Sequence, residues 1–190
     1  MHENEWTRNI AEGMRQCYPQ EFIVEQSYTP YGSDDIHSKA GYSDILSVNE
    51  EGEISIVEVK RHNSPALKKW QVIGELLFYT FLIETQLCHD NDQYLWLRKL
   101  ITKGAFSQKA VDAIERRHAN REGLVRDWAI VICGGDRASL EMNEALWHMH
   151  DYVNSRPMRP LTFLHGTMED QSFRIETITN TFRRDAPGCA

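Results

Sequence analysis

Two apolar stretches decide how this chain folds: Tyr42-Ser43-Asp44-Ile45-Leu46-Ser47-Val48 and Glu53-Ile54-Ser55-Ile56-Val57-Glu58-Val59-Lys60. Asn49-Glu50-Glu51-Gly52 joins them. A Gly-ended polar linker between two such runs is a hairpin signal. If the loop is Glu50-Glu51-Gly52, with Gly52 in the left-handed position of a bulged turn, Asn49 and Glu53 face each other. Counting back along both strands then puts Asp44 directly opposite Glu58, with Cβ atoms about 5 Å apart. A four-residue loop would send Asp44 to the other face. Side chains alternate along a strand, so Glu58 and Lys60 share one face and Val57 and Val59 the other.

Two facing carboxylates on a half-buried sheet repel, and each loses solvation. Positive charge has to reside there. Lys60 supplies part of it, and a hard divalent cation held by Asp44 and Glu58 supplies the rest. Mg²⁺ suits such a pair because it accepts one or two carboxylates, keeps several waters and bridges to phosphate oxygens. The Val59 carbonyl is placed to complete the coordination. Such a cation polarises a phosphoryl group and generates hydroxide, while Lys60 orients the water or stabilises charge on phosphorus. The plainer alternative is a half-exposed hairpin whose Glu58 and Lys60 are simply solvated.

At these residues the chain resembles the PD-(D/E)xK nuclease superfamily. Ser43-Asp44 stands where that family has Pro-Asp, and Glu58-Val59-Lys60 is its Glu-x-Lys. The next helix carries Gln71-Val72-Ile73-Gly74-Glu75-Leu76-Leu77-Phe78-Tyr79, similar to the Gln-x-x-x-Tyr helix of the branch related to the RecB nuclease domain. Here Glu75 stands four residues after Gln71, and Tyr79 comes one turn later. The resemblance implies a restriction-endonuclease-like fold and Mg²⁺- or Mn²⁺-dependent hydrolysis of phosphodiesters, usually in DNA. It makes Asp44 and Glu58 metal ligands, Lys60 the catalytic lysine and Gln71 an assisting residue. Gln71, Glu75 and Tyr79 recur every four residues, so one helix edge can face the site. The family often adds a glutamate from its first helix; Glu12 is the candidate, with Glu5 behind it. Arg61, Lys68 and Lys69 follow directly and are candidates to meet nucleic-acid phosphates, or are a solvated helix start.

Outward from the hairpin, residues 4–18 have the spacing of an amphipathic helix stopped by Pro19, and Phe22 to Tyr28 that of a strand, with a polar loop from Thr29 to Ala40. Ser64-Pro65 starts a helix that should run to about Thr85, burying Leu67, Trp70, Ile73, Leu77, Thr80 and Phe81. Further helices are expected over 92–102, 107–119 and 138–153. Trp128 to Cys133 reads as a strand buried on both faces. Gly134-Gly135-Asp136 after it has the look of a phosphate-cradling turn or of a plain strand-to-helix turn. Leu161 to His165 and Phe173 to Ile178 are the last strands. The order predicts an α/β fold, a mixed central sheet flanked by helices, in one domain over 1–190. Its core spans about 4–133, and the C-terminal helix and strands lie in 138–180. The five tryptophans read as core.

With 190 residues, 41% of them hydrophobic and 26% charged, the chain can bury a core of its own. The longest apolar run, Leu76 to Ile83, is eight residues, short of the roughly 20 a membrane span needs. No secretory signal is visible at the N-terminus, and four scattered cysteines without a Cys-x-x-Cys pair fit neither a disulfide framework nor a zinc ribbon. A cytoplasmic protein is expected. Of the net charge of −7, residues 1–60 carry −8, residues 61–126 carry +4 and residues 127–190 carry −3. A polyanion such as DNA is therefore met by the middle third. Little sequence lies beyond the catalytic core, so specificity would come from DNA structure, a homodimer or a protein partner. The competing class is a non-catalytic binding or regulatory module on the same fold, motivated by the acidic first third.

Overall fold

The computed structural model describes residues 3–28, 42–89, 107–169 and 172–178. Six strands form one mixed sheet in chain order: β1 (Phe22–Tyr28), β2 (Tyr42–Val48), β3 (Ile54–Arg61), β4 (Val125–Cys133), β5 (Leu161–Glu169) and β6 (Ser172–Thr177). β1, β2 and β3 make an antiparallel meander, β3, β4 and β5 run parallel, and β6 returns antiparallel to β5. The helices are α1 (Glu3–Cys17), α2 (Pro65–Lys68), α3 (Gln71–His89), α4 (Gln108–Ala119), α5 (Arg137–Glu141) and α6 (Glu144–Asn154). The α/β class with a mixed, helix-flanked sheet is as expected. The expected loop over 29–40 and helix over 92–102 lie outside the described residues.

Two successive parallel crossovers in the same direction along a sheet put their helices on one face. That face carries the larger core: Leu46, Ile54, Ile56, Ile130, Ile132 and Phe163 under Leu76, Ile83, Ile114 and Met149. The opposite face, Ile45, Val57, Val59, Val131 and Leu164, is covered by Ile10, Ala11 and Met14 of α1. Each fully buried Ile or Leu contributes about 1.5–3 kcal/mol. Thus β3 buries even-numbered residues against the crossover helices and odd-numbered ones against α1.

The helix expected from Ser64 to Thr85 is two helices. Ser64 caps α2 as expected, its hydroxyl accepting from the Ala66 N–H at 3.3 Å. After Lys69 the chain turns through Trp70, whose φ of 57° is left-handed. A bulky residue in that conformation costs about 1–3 kcal/mol and persists only where packing over-determines it. Here the Trp70 ring packs on the core and meets Tyr152 of α6. The helical phase restarts at Gln71, so the stripe extrapolated from Leu67 and Trp70 does not carry over. Val72, Ile73, Leu76, Tyr79 and Ile83 are buried, whereas Leu77 and Phe81 are 44% and 61% exposed. The helix expected over 138–153 is likewise broken, because Asn143 caps α6 by accepting from the Ala145 and Leu146 N–H groups.

The second half of α3 is pinned by side chains. Trp128 Nε1 donates to Thr80 Oγ1 at 2.8 Å. The Glu84 carboxylate accepts from the Leu124 and Val125 N–H groups at 3.0 and 2.9 Å and from Arg159 at 2.9 Å. These bonds tie the third and fourth turns of α3 to β4 and the residues beside it.

Candidate active site

The loop of the β2–β3 hairpin is the short one. The Gly52 N–H donates to the Asn49 carbonyl at 3.1 Å, Asn49 N–H to the Glu53 carbonyl at 3.1 Å, and Gly52 has φ 81°. The register runs Val48↔Ile54, Ser47↔Ser55, Leu46↔Ile56 and Ile45↔Val57, so the next facing pair is Asp44 and Glu58. There the ladder opens. Bonded rungs alternate, so the Val59 N–H would regularly donate to the Ser43 carbonyl. Instead it donates to Asp44 Oδ2 at 2.8 Å. N–H and C=O of one strand residue point to the same edge, so the Val59 carbonyl also faces the fork between β2 and β3.

Glu58 is only 2% exposed. Its Oε2 accepts from Lys60 Nζ at 2.6 Å, and its Oε1 is buried with no hydrogen-bond partner among the described residues. Lys60 Nζ also lies 3.1 Å from Glu75 Oε2 and 3.7 Å from Asp44 Oδ2. Glu75 comes from the second turn of α3, where Gln71 Nε2 donates to its Oε1 at 3.3 Å. Tyr79, one turn further, is buried. Three carboxylates therefore surround one ammonium.

The titration shifts follow from that crowding. Burial, then the charge of Asp44, push the Glu58 carboxyl up to about 8 against the opposing pull of Lys60. Burial alone would lower the Lys60 ammonium, but Glu58, Asp44 and Glu75 outweigh it and hold it above the ordinary lysine range. Burial and the same three carboxylates raise the Tyr79 phenol. Burial, with a contribution from Asp44, pushes the Cys133 thiol up to about 12.

Asp44, Glu58, Lys60, Glu75 and Gln71 are brought together, with Tyr79 behind them. Glu12 is not. It projects from α1, which covers the other face of the sheet, and pairs with Arg15 at 3.2 Å. Glu5 belongs to the same helix. Arg61 is exposed and, being odd-numbered on β3, lies on the α1 side; Lys68 and Lys69 are exposed on and just after α2. Glycines 134 and 135, with φ 73° and 80°, make a tight turn packed by His62, whose Cβ and Cγ would lie 3.0 Å from a Cβ on Gly135. That is the plain strand-to-helix turn. One buried residue on the same sheet face, two strands from Lys60, carries no sequence signal. His165 is buried in the same row as Lys60, since Lys60 pairs with Ile132 and Ile132 with His165.

The donors suit a hard cation in one respect: two facing carboxylates, one with an uncommitted buried oxygen. Among the described residues, no three His, Cys, Asp or Glu side chains are grouped to hold a metal ion. Two carboxylates alone would leave most of a cation's positions to water, which Mg²⁺ tolerates.

No family model matches this chain, and no curated protein does. Among solved structures it is similar to SPO1766, a protein of unknown function from Silicibacter pomeroyi. The two share 12% identity with a TM-score of 0.37, over 94% of this chain and 73% of that one. No described helix is long and apolar enough to cross a membrane.

Proposed function

We propose that this protein is a metal-dependent nuclease that hydrolyses phosphodiester bonds, most readily in DNA. The observation that supports it best is the convergence of Asp44, Glu58 and Lys60 on one sheet face, with Glu58 Oε1 buried and uncommitted. Asp44, Glu58 and the Val59 carbonyl would hold Mg²⁺ or Mn²⁺. Bound there, the cation supplies a Lewis acid and a more acidic water.

The chain's own residues do the rest. Among the three carboxylates Lys60 is held as an ammonium, their charge outweighing its burial. Its part is electrostatic, donating hydrogen bonds to charge that develops on the phosphoryl oxygens. Glu75, held by Gln71, keeps that ammonium over the fork. In the net reaction the oxygen of water bonds to phosphorus and one bridging P–O bond breaks. The water's protons end on the departing oxygen and in solvent.

A second reading, a non-catalytic binding module on this fold, draws on the three contacts by which Lys60 already balances the carboxylates. Cleavage of supercoiled and single-stranded DNA with Mg²⁺ or Mn²⁺, by the wild type, Glu58→Ala and Lys60→Ala, separates the two. Metal-dependent cleavage lost in both variants supports the nuclease. Cleavage that survives in both points to another site or a contaminant. No cleavage, with no metal bound at millimolar concentration, favours the module.

A further inference from the structure

The joint between α2 and α3 places aromatic rings and positive charge together at the surface. Trp70, half-buried, meets Tyr152 of α6 edge to face with ring centroids 5.4 Å apart. The Arg156 guanidinium lies 3.9 Å over the centre of the Tyr152 ring. Tyr152 nevertheless stays 45% exposed. Lys68 and Lys69 stand exposed beside the joint, and neither makes an ion pair with another described residue. The neighbouring acid on α6, Asp151, is within 3.3 Å of His150. Core tryptophans look different here: Trp128 and Trp147 are 1% and 6% exposed.

We propose that this joint docks an unpaired DNA strand, with Tyr152 and Arg156, backed by Trp70, stacking a base and Lys68 and Lys69 meeting its phosphates. The proposal deepens the nuclease reading, on which it rests, by naming single-stranded or frayed DNA as the substrate class. Charge complementarity selects the occupant. Arg156 lies on the ring that meets Trp70, and Lys68 and Lys69 immediately precede Trp70, so the joint is locally basic on a chain of net charge −7, which suits a polyanion there. The aromatic component selects a single strand, because duplex bases are stacked on each other and offer a surface ring no free face, whereas unpaired bases stack on aromatic and guanidinium planes. The joint is also continuous with the catalytic cluster. Trp70 directly precedes Gln71, whose amide donates to the Glu75 that contacts Lys60.

The test is fluorescence anisotropy without divalent cation, using a labelled oligo(dT) of about 15 nucleotides and a duplex of the same length. The wild type should bind the single strand about tenfold more tightly than the duplex. Tyr152→Ala should weaken single-strand binding about tenfold, the worth of one stacked base, with duplex binding unchanged and Tyr152→Phe restoring it. Arg156→Ala, which leaves the Trp70 contact in place, should weaken it in the same direction. The double variant Lys68→Ala/Lys69→Ala should reduce the slope of log affinity against log salt by about 1.4. Equal binding of duplex and single strand, or wild-type affinity in both Tyr152→Ala and Arg156→Ala, overturns the proposal, as does no binding of either probe. Cleavage of the same probes with Mg²⁺ keeps the two ideas apart. Strand binding without cleavage leaves the surface standing and removes the nuclease, while cleavage with both variants unchanged does the reverse.

Discussion

Asp44 is aimed by the backbone of the strand that carries its partners: its Oδ2 accepts the Val59 N–H at 2.8 Å, between Glu58 and Lys60 in sequence. The bond replaces the next rung of the β2–β3 ladder, so the opening of the hairpin and the placing of the carboxylate are one event. An amide oxygen can accept the same N–H but brings no charge. Asp44→Asn should therefore unfold within about 1 kcal/mol of the wild type, while DNA cleavage falls by about two orders of magnitude or more. Urea denaturation and cleavage assays on the same preparation check both halves. An active Asp44→Asn would remove Asp44 from the chemistry.

Glu58 makes stability depend on pH in a defined direction. Its carboxyl is raised in the folded protein from an ordinary 4.5 to about 8. The folded state thus holds a proton that the unfolded chain has released. The stability this brings is complete below the ordinary value and is lost as pH rises through about 8. The melting temperature of the metal-free protein should fall between pH 5 and pH 9, and Glu58→Gln should flatten the fall. The upward shift of Lys60 acts above this window and does not offset it. A melting temperature that climbs across the interval would contradict the assignment.

Gly52 should tolerate no side chain. Its φ of 81° is left-handed, and a Cβ built there would stand 2.5 Å from the Ala113 carbonyl carbon and oxygen, which are helix backbone. Gly52→Ala should cost about 2 kcal/mol or more, read as a lower denaturation midpoint at unchanged slope. If it is neutral, the turn does not seat against α4.

Gly74 is the opposite case. It lies in the second turn's approach on α3, and a Cβ there would meet nothing within 4 Å. Gly74→Ala should stabilise the fold by up to about 1 kcal/mol through helix propensity and a less flexible unfolded chain. Differential scanning calorimetry of the variant against the wild type would show the gain, and a loss would mean that something covers this face in solution.

The hairpin register could be read from the sequence because it is local. Asn49 and Gly52 select the short loop, and from that loop the count along both strands leads to Asp44 and Glu58 facing each other. The buried strand ending at Cys133 was equally plain from its unbroken apolar run. What was not legible depends on the third dimension. Nothing in the pattern of Ser64 to Thr85 announces that Trp70 turns left-handed, and the expected burial of Leu77 and Phe81 failed with it. The first helix shows its apolar stripe but not which sheet face that stripe covers, so its sequence offers Glu12 to a site that lies on the other face. Glu75 could be found because it shares a helix edge with Gln71. His165 could not, because its row neighbours come from strands far away in the chain.

The parallel pairing of β3 with β4 also orders how the molecule is built. About sixty residues separate Arg61 from Val125, whereas the turn between β2 and β3 closes within a handful. Loop closure costs entropy that grows with length, and hairpins form in microseconds while distant parallel strands come together late. Asp44, Glu58 and Lys60 all belong to the early meander. On that ordering the acidic pair is expected to come face to face while still open to water, and to lose its solvation only when α3 and β4 dock. Stopped-flow refolding should report the burial of Trp128 on β4 as a late event, with φ-values higher in the β2–β3 turn than on β4.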